Sequence, residues 1–123
     1  MPSKLIIHVA GLTLRVIRSG QLADGWAGPD SVPPAQAVLS HAYALLGLLP
    51  HEDVLALQAD DIVPTPYGTL TLDWGEEISV ELGNHQLSIL LVSAQAAVVL
   101  PATPAGITEA ASFIQYHRSK FSK

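Results

Sequence analysis

Cysteine is absent from all 123 residues, which excludes thiolate catalysis, cysteine-ligated zinc and disulfide cross-links. Basic residues are scarce and confined to the ends. Lys4, Arg15 and Arg18 open the chain, Arg118, Lys120 and Lys123 close it, and none lies between Ser19 and His117. Phosphate neutralisation needs clustered lysine and arginine, so the body is not built to bind nucleic acid. Long apolar runs are missing too. The greasiest region, residues 87–100, is broken by Ser93 and Gln95 and ended by Pro101, and a membrane span needs about twenty apolar residues.

The usual signatures of chemistry are also lacking. The five histidines (His8, His41, His51, His85 and His117) form no H-x-x-x-H or H-x-H pair, so no metal centre is expected. Serines occur without a G-x-S-x-G elbow, and no phosphate-cradling glycine motif is present. Glu76-Glu77 falls in an expected turn, His51-Glu52-Asp53 at a helix start and Asp60-Asp61 before a strand, all places where water solvates acids. No catalytic residue and no cofactor are expected. The start, MPSKLIIHVAG, has no long apolar core or clear cleavage site, so it reads as folded structure and not as a signal peptide. A cytoplasmic protein is expected.

What is present is a run of strands. Leu70, Leu72 and Trp74 alternate with Thr69, Thr71 and Asp73, and Ile78, Val80 and Leu82 alternate with Glu77, Ser79 and Glu81. That period of two marks half-buried strands. Gly83-Asn84 is the expected hairpin turn. His85–Val92 follows, apolar toward its end on both faces, and is expected to be central and covered on both sides. Ala96–Leu100 reads as a further strand. Pro64 and Pro66 rule out a regular central strand at Val63–Thr65, and Pro66-Tyr67-Gly68 is a turn that sets the register of the meander.

Before the meander, Lys4–Val9 and Leu12–Arg18 read as a β-hairpin around Ala10-Gly11, on β-branched content and the alternation of Leu12, Leu14 and Val16. A loop rich in glycine and proline then carries Trp26, too costly to leave in water, and so folds back onto the body. Asp30 or Ser31 is the expected cap of a helix with Pro33 or Pro34 in its first turn. Ala35, Val38, Leu39, Ala42, Leu45, Leu46 and Leu49 form its buried face. His51–Gln58 is a shorter helix. After a loop at Ala102–Ile107, Thr108 is the expected cap of a terminal helix presenting Ala110, Phe113, Ile114, His117 and Phe121 on one face. One α+β domain results, residues 1–123, with a mostly antiparallel sheet of five to seven strands, helices on one face, and the order ββ-α(α)-ββββ-α.

Composition then bears on function. Mean hydropathy is +0.35 and only 14% of residues are charged, against a norm of about 25%. More apolar surface is implied than so small a globule hides, and association relieves it. All eleven acids lie between the basic ends, for a net charge of −5. With the N-terminal hairpin against the C-terminal helix, one basic pole would face an acidic body, a layout that steers a basic partner or draws subunits head to tail. The plainer reading is that the charge only confers solubility. Trp26 and Trp74 are either core anchors or interface residues. Asp24, Trp26, Tyr67 and Trp74 make up the candidate interaction set.

Two segments have a familiar look. ADGWAGPDSVPPAQAVLSHAYALL resembles the glycine-tryptophan loop and helix of a family of small bacterial proteins. IVPTPYGTLTLDW resembles the Pro-Thr-Pro-x-Gly turn and tryptophan-ended strand that follows in them. The resemblance covers residues 23–74 and implies a bacterial or phage origin and a similar fold, with Ala27 and Tyr67 standing where the pattern has an acidic residue. It transfers no activity. The expected function is a non-enzymatic protein-interaction module, self-associating or binding a neighbouring gene's product. A toxin-neutralising or immunity role suits an acidic, cysteine-free chain. The alternative is a small-molecule binder or enzyme with a pocket between sheet and helix.

Overall fold

A computed structural model of the protein describes residues 2–92 and 94–121, and side chains over residues 5–92 and 94–118. The order is α–α–α–β5–α: α1 (Pro2–Gly20), α2 (Gln36–Leu48), α3 (His51–Ala56), β1 (Ile62–Pro64), β2 (Leu70–Trp74), β3 (Ile78–Leu82), β4 (Gln86–Leu91), β5 (Ala96–Pro101) and α4 (Pro104–Phe121). The strands form one antiparallel sheet in chain order, the arrangement that tight turns between successive strands produce. Its inner face carries Ile62, Leu70, Leu72, Trp74, Ile78, Val80, Leu82, Leu87, Ile89, Leu91 and Leu100, all buried. The helices cover that face and no other: α1 lies by β1, α2 by β2 and β3, and α4 by β5. The fold class is α+β, as the pattern predicts.

The meander follows its alternation closely. Thr65 and Thr69 close the turn through a backbone bond of 2.9 Å, with Gly68 at φ 82°, a conformation that disfavours any side chain with a Cβ. The hairpin after β3 differs from expectation: Gly83 N–H donates to the Gln86 carbonyl, so Asn84-His85 form its tip. β4 differs as well. Leu90 and Val92 are exposed, because none of the described elements packs on the outer face of the sheet, and β4 is covered on one side only.

The largest correction concerns the N-terminus. Residues 2–20 form one helix and not a hairpin. Leu12, Val16 and Ser19 are buried at spacings of four and three, the period of a helix. Leu14, placed with them by the alternation, is exposed. Gly11, the expected turn, sits in mid-helix with open space around it. Tertiary bonds hold the helix: Arg15 Nε donates to the Ile62 carbonyl at 2.8 Å, and His8 Nε2 lies 2.9 and 2.7 Å from the Val54 and Leu57 carbonyls. Docking against a sheet edge thus overrides the β-leaning composition of the segment.

Two helix starts are also displaced. Neither Asp30 nor Ser31 caps α2, whose N-cap is Ala35 with no side-chain bond. Ser31 instead ties the preceding loop, accepting from Ala27 N–H and donating to the Gly28 carbonyl. α4 begins one turn before Thr108, which lies inside the helix and donates to the Pro104 carbonyl. Thr103 serves as the cap, its hydroxyl accepting from Gly106 N–H, and Pro104 takes the first helical position, where a missing N–H costs nothing. α4 buries Ile107, Ala110, Ala111 and Ile114. Phe113 packs beside them, and the expected contact of Phe121 lies outside the described side chains. Gly106 sits so close to the end of β5 that a Cβ there would collide with the Pro101 carbonyl.

Candidate functional site

Three of the four candidate interaction residues reach one corner of the surface. The loop carrying Asp24 and Trp26 is knotted by Gly25 N–H to the Ser31 carbonyl at 2.8 Å. Half-buried Trp26 donates its indole N–H to the Val32 carbonyl. Val32 N–H in turn donates to the Pro66 carbonyl, and Val32 bridges to Tyr67. Backbone bonds therefore place Trp26, exposed Val32 and Tyr67 together, with Tyr67 at 85% exposure and Asp24 exposed at the rim. A tyrosine standing that far into solvent makes few contacts within its own chain, and aromatic side chains of this kind often anchor interfaces.

Trp74 does not join them. It is 2% exposed and donates its indole N–H to the Asp53 carbonyl at 2.8 Å within the core. Its place at the end of β2 on the inward register fixes that burial, so it is a core anchor and leaves the surface set. Asp53 is a node: its buried carboxylate accepts from Arg118 Nε at 2.9 Å, which ties α3 to α4. Of the basic residues of the expected pole, Arg118 is paired with Asp53. Arg15 donates to a neutral carbonyl and keeps its charge, and Arg18 is exposed. The side chains of Lys4, Lys120 and Lys123 lie outside the described set.

A second surface comes from α1. Ile6, Ile7, Leu14 and Ile17 are exposed, Ile7 by 72% and Ile6 by 67%, on the side of the helix away from Leu12 and Val16. An amphipathic surface helix carries polar residues there. This one is apolar on both sides. The hairpin reading hid the stripe, and the signal that would have found it is the spacing of Leu5, His8, Leu12, Val16 and Ser19, which a strand cannot share.

Two hollows lie between helices, not between sheet and helix. One of about 290 Å³ is lined by Leu5, Val9, Leu12, Tyr43, Leu46 and His51 among others. A second, of about 520 Å³, lies between α2 and α4 against Ser40, His41, Tyr43, Leu48, Pro104 and Ile107 among others. No carboxylate lines either. Among the described residues no three His, Asp or Glu side chains gather as metal ligands. His8 and His41 each point Nε2 at backbone carbonyls, which assigns that nitrogen as a donor. Carboxylate oxygens of Asp53 and Glu77 are buried without a hydrogen-bond partner, yet neither residue lines a hollow. No described helix is long and apolar enough to cross a membrane.

Neither a protein-family model, nor a curated protein, nor a solved structure matches this chain. The resemblance of residues 23–74 accordingly rests on those residues alone.

Proposed function

We propose that this chain is a non-enzymatic protein-interaction module, acting by self-association or by binding the product of a neighbouring gene, with an antitoxin- or immunity-like role as the best-suited case. The observation that carries it is the outward apolar stripe of α1. Ile6, Ile7, Leu14 and Ile17 lie in water where the sequence could have placed charge, and a contiguous apolar surface on a small protein marks a contact site. The Trp26–Val32–Tyr67 corner supports the same reading. The test is the mass of the protein in solution, and of its complexes with products of adjacent genes, for the wild type and for Ile7→Glu. A substitution that leaves the fold cooperative and abolishes a complex supports the reading. A wild-type chain that is monomeric and captures no partner overturns it.

A second reading draws on the hollow between α2 and α4, whose apolar walls carry Ser40, His41 and Thr108 as its polar groups. Such a site takes a small apolar ligand with one polar end. Binding of a hydrophobic dye, lost in Gly47→Phe and retained in Ile7→Glu, would favour it.

A further inference from the structure

The two edges of the sheet are finished differently, and the difference identifies a contact. On β1, the backbone bond between Thr65 and Thr69 fixes which residues face outward, since antiparallel ladders alternate. They are Ile62 and Pro64. Ile62 N–H donates to the Ala59 carbonyl, its carbonyl accepts from Arg15, and Pro64 has no N–H to offer. On that edge the Pro64 carbonyl alone is left without a partner among the described residues. On β5, Ala102 N–H donates to the His85 carbonyl at 3.0 Å. The pairing of Leu87 with Leu100 and of Ile89 with Val98 then turns Leu100 and Val98 toward β4, and Ala97 and Val99 outward. The outward N–H and C=O groups of Ala97 and Val99 have no hydrogen-bond partner among the described residues.

An open edge of this kind is a template for another strand, and proteins ordinarily guard it with lysine, proline or a bulge. β5 carries one such guard, Pro101, at its far end and on the outward register; Ala97 and Val99 have none. Val99 is 59% exposed, and Leu90 stands exposed beside it on the outer face.

We propose that two copies of this chain pair β5 to β5, antiparallel about a dyad near Val98, and join their sheets into one. The Ala97 N–H of each copy then donates to the Val99 carbonyl of the other, and the Val99 N–H to the Ala97 carbonyl. Such an edge is its own complement under a two-fold axis. Charge favours a copy as the occupant. The chain carries −5 overall, yet residues 82–108 contain no Asp, Glu, Lys or Arg, so β5 is where two acidic molecules approach with least repulsion.

This inference deepens the protein-interaction reading and rests on it. The experiment is light scattering after gel filtration, with amide exchange by NMR, on the wild type, Val99→Lys and Ile7→Glu. A wild-type dimer is expected, with the Ala97 and Val99 amides protected alongside Val98 and Leu100. Val99→Lys should unfold as cooperatively as the wild type while raising the dimer dissociation constant on the order of 100-fold, because like charges facing across an interface oppose association. In that monomer Ala97 and Lys at 99 exchange freely while Val98 stays protected. A dimer whose Ala97 and Val99 amides exchange freely, and which Ile7→Glu abolishes, overturns β5 pairing while the interaction reading stands. A wild-type monomer at high micromolar concentration that still captures a partner protein overturns the inference alone. A monomer that captures none overturns both.

Discussion

The β1 side and the β5 side of the molecule solve the same problem in opposite ways. At β1, α1 lies along a three-residue strand, Arg15 and the Ala59 carbonyl take up the outward groups of Ile62, and His8 and Trp74 pin α3 behind it. At β5, a six-residue strand, the outward groups of Ala97 and Val99 have no partner among the described residues. Both strands are apolar, so hydrophobicity alone does not distinguish them. What differs is whether polar side chains from elsewhere in the chain reach the backbone. The lesson is that polar side chains reaching a strand's backbone close one edge of the sheet, and that the other edge lacks them among the described residues; the proposed pairing of β5 rests on that difference.

The contrast can be broken first at its firmest point. Trp74→Ala on the closed side should cost about 3–5 kcal/mol in urea unfolding, through lost burial and a cavity. Retention of most of the stability would show that this side is less tightly built than its bonds suggest. Asp53→Ala comes next. It leaves Arg118 without its carboxylate, and because that side chain is 26% exposed the cost should be about 2–3 kcal/mol, below the range for a fully buried pair. Arg15→Met should cost about 1.5–3 kcal/mol, the value of a hydrogen bond from a charged donor. More tellingly, it should unguard the Ile62 carbonyl and raise the tendency of the β1 edge to associate, read as a concentration-dependent mass. Val99→Lys on the open side should shift the stability of the monomer by less than about 0.5 kcal/mol, as for an ordinary surface change. A large loss there would mean that β5 supports its own fold more than expected, and the contrast between the sides would shrink.

The sequence made some of this plain and hid the rest for physical reasons. β2 and β3 were legible because each alternates cleanly between a buried and a wet face, and the turn at Gly68 needs a residue that accepts positive φ. α2 was legible from its 3–4 spacing. α1 was not, because Leu12, Leu14 and Val16 satisfy a strand pattern locally, and only packing against β1 shows that Leu14 faces away. The start of α4 was misplaced because two threonines, Thr103 and Thr108, both look like caps, and Pro104 decides between them. Of the candidate surface, Asp24, Trp26 and Tyr67 fell together through loop bonds that no periodicity encodes. Trp74 left the set because its strand register points it inward. The open edge of β5 could not be read from sequence, since which backbone groups lie unpaired depends on strand order.

Gly106 gives the open edge a further property. Because the first turn of α4 rests directly on the Pro101 carbonyl, with Thr103 clamping the junction, the far end of β5 is held in place by the helix that follows. An incoming strand would meet an edge whose far end is already held by the helix, so less of the ordering penalty of docking falls on β5. Enlarging residue 106 would loosen that edge from one end and weaken the docking of another strand without touching a single atom that the two would share.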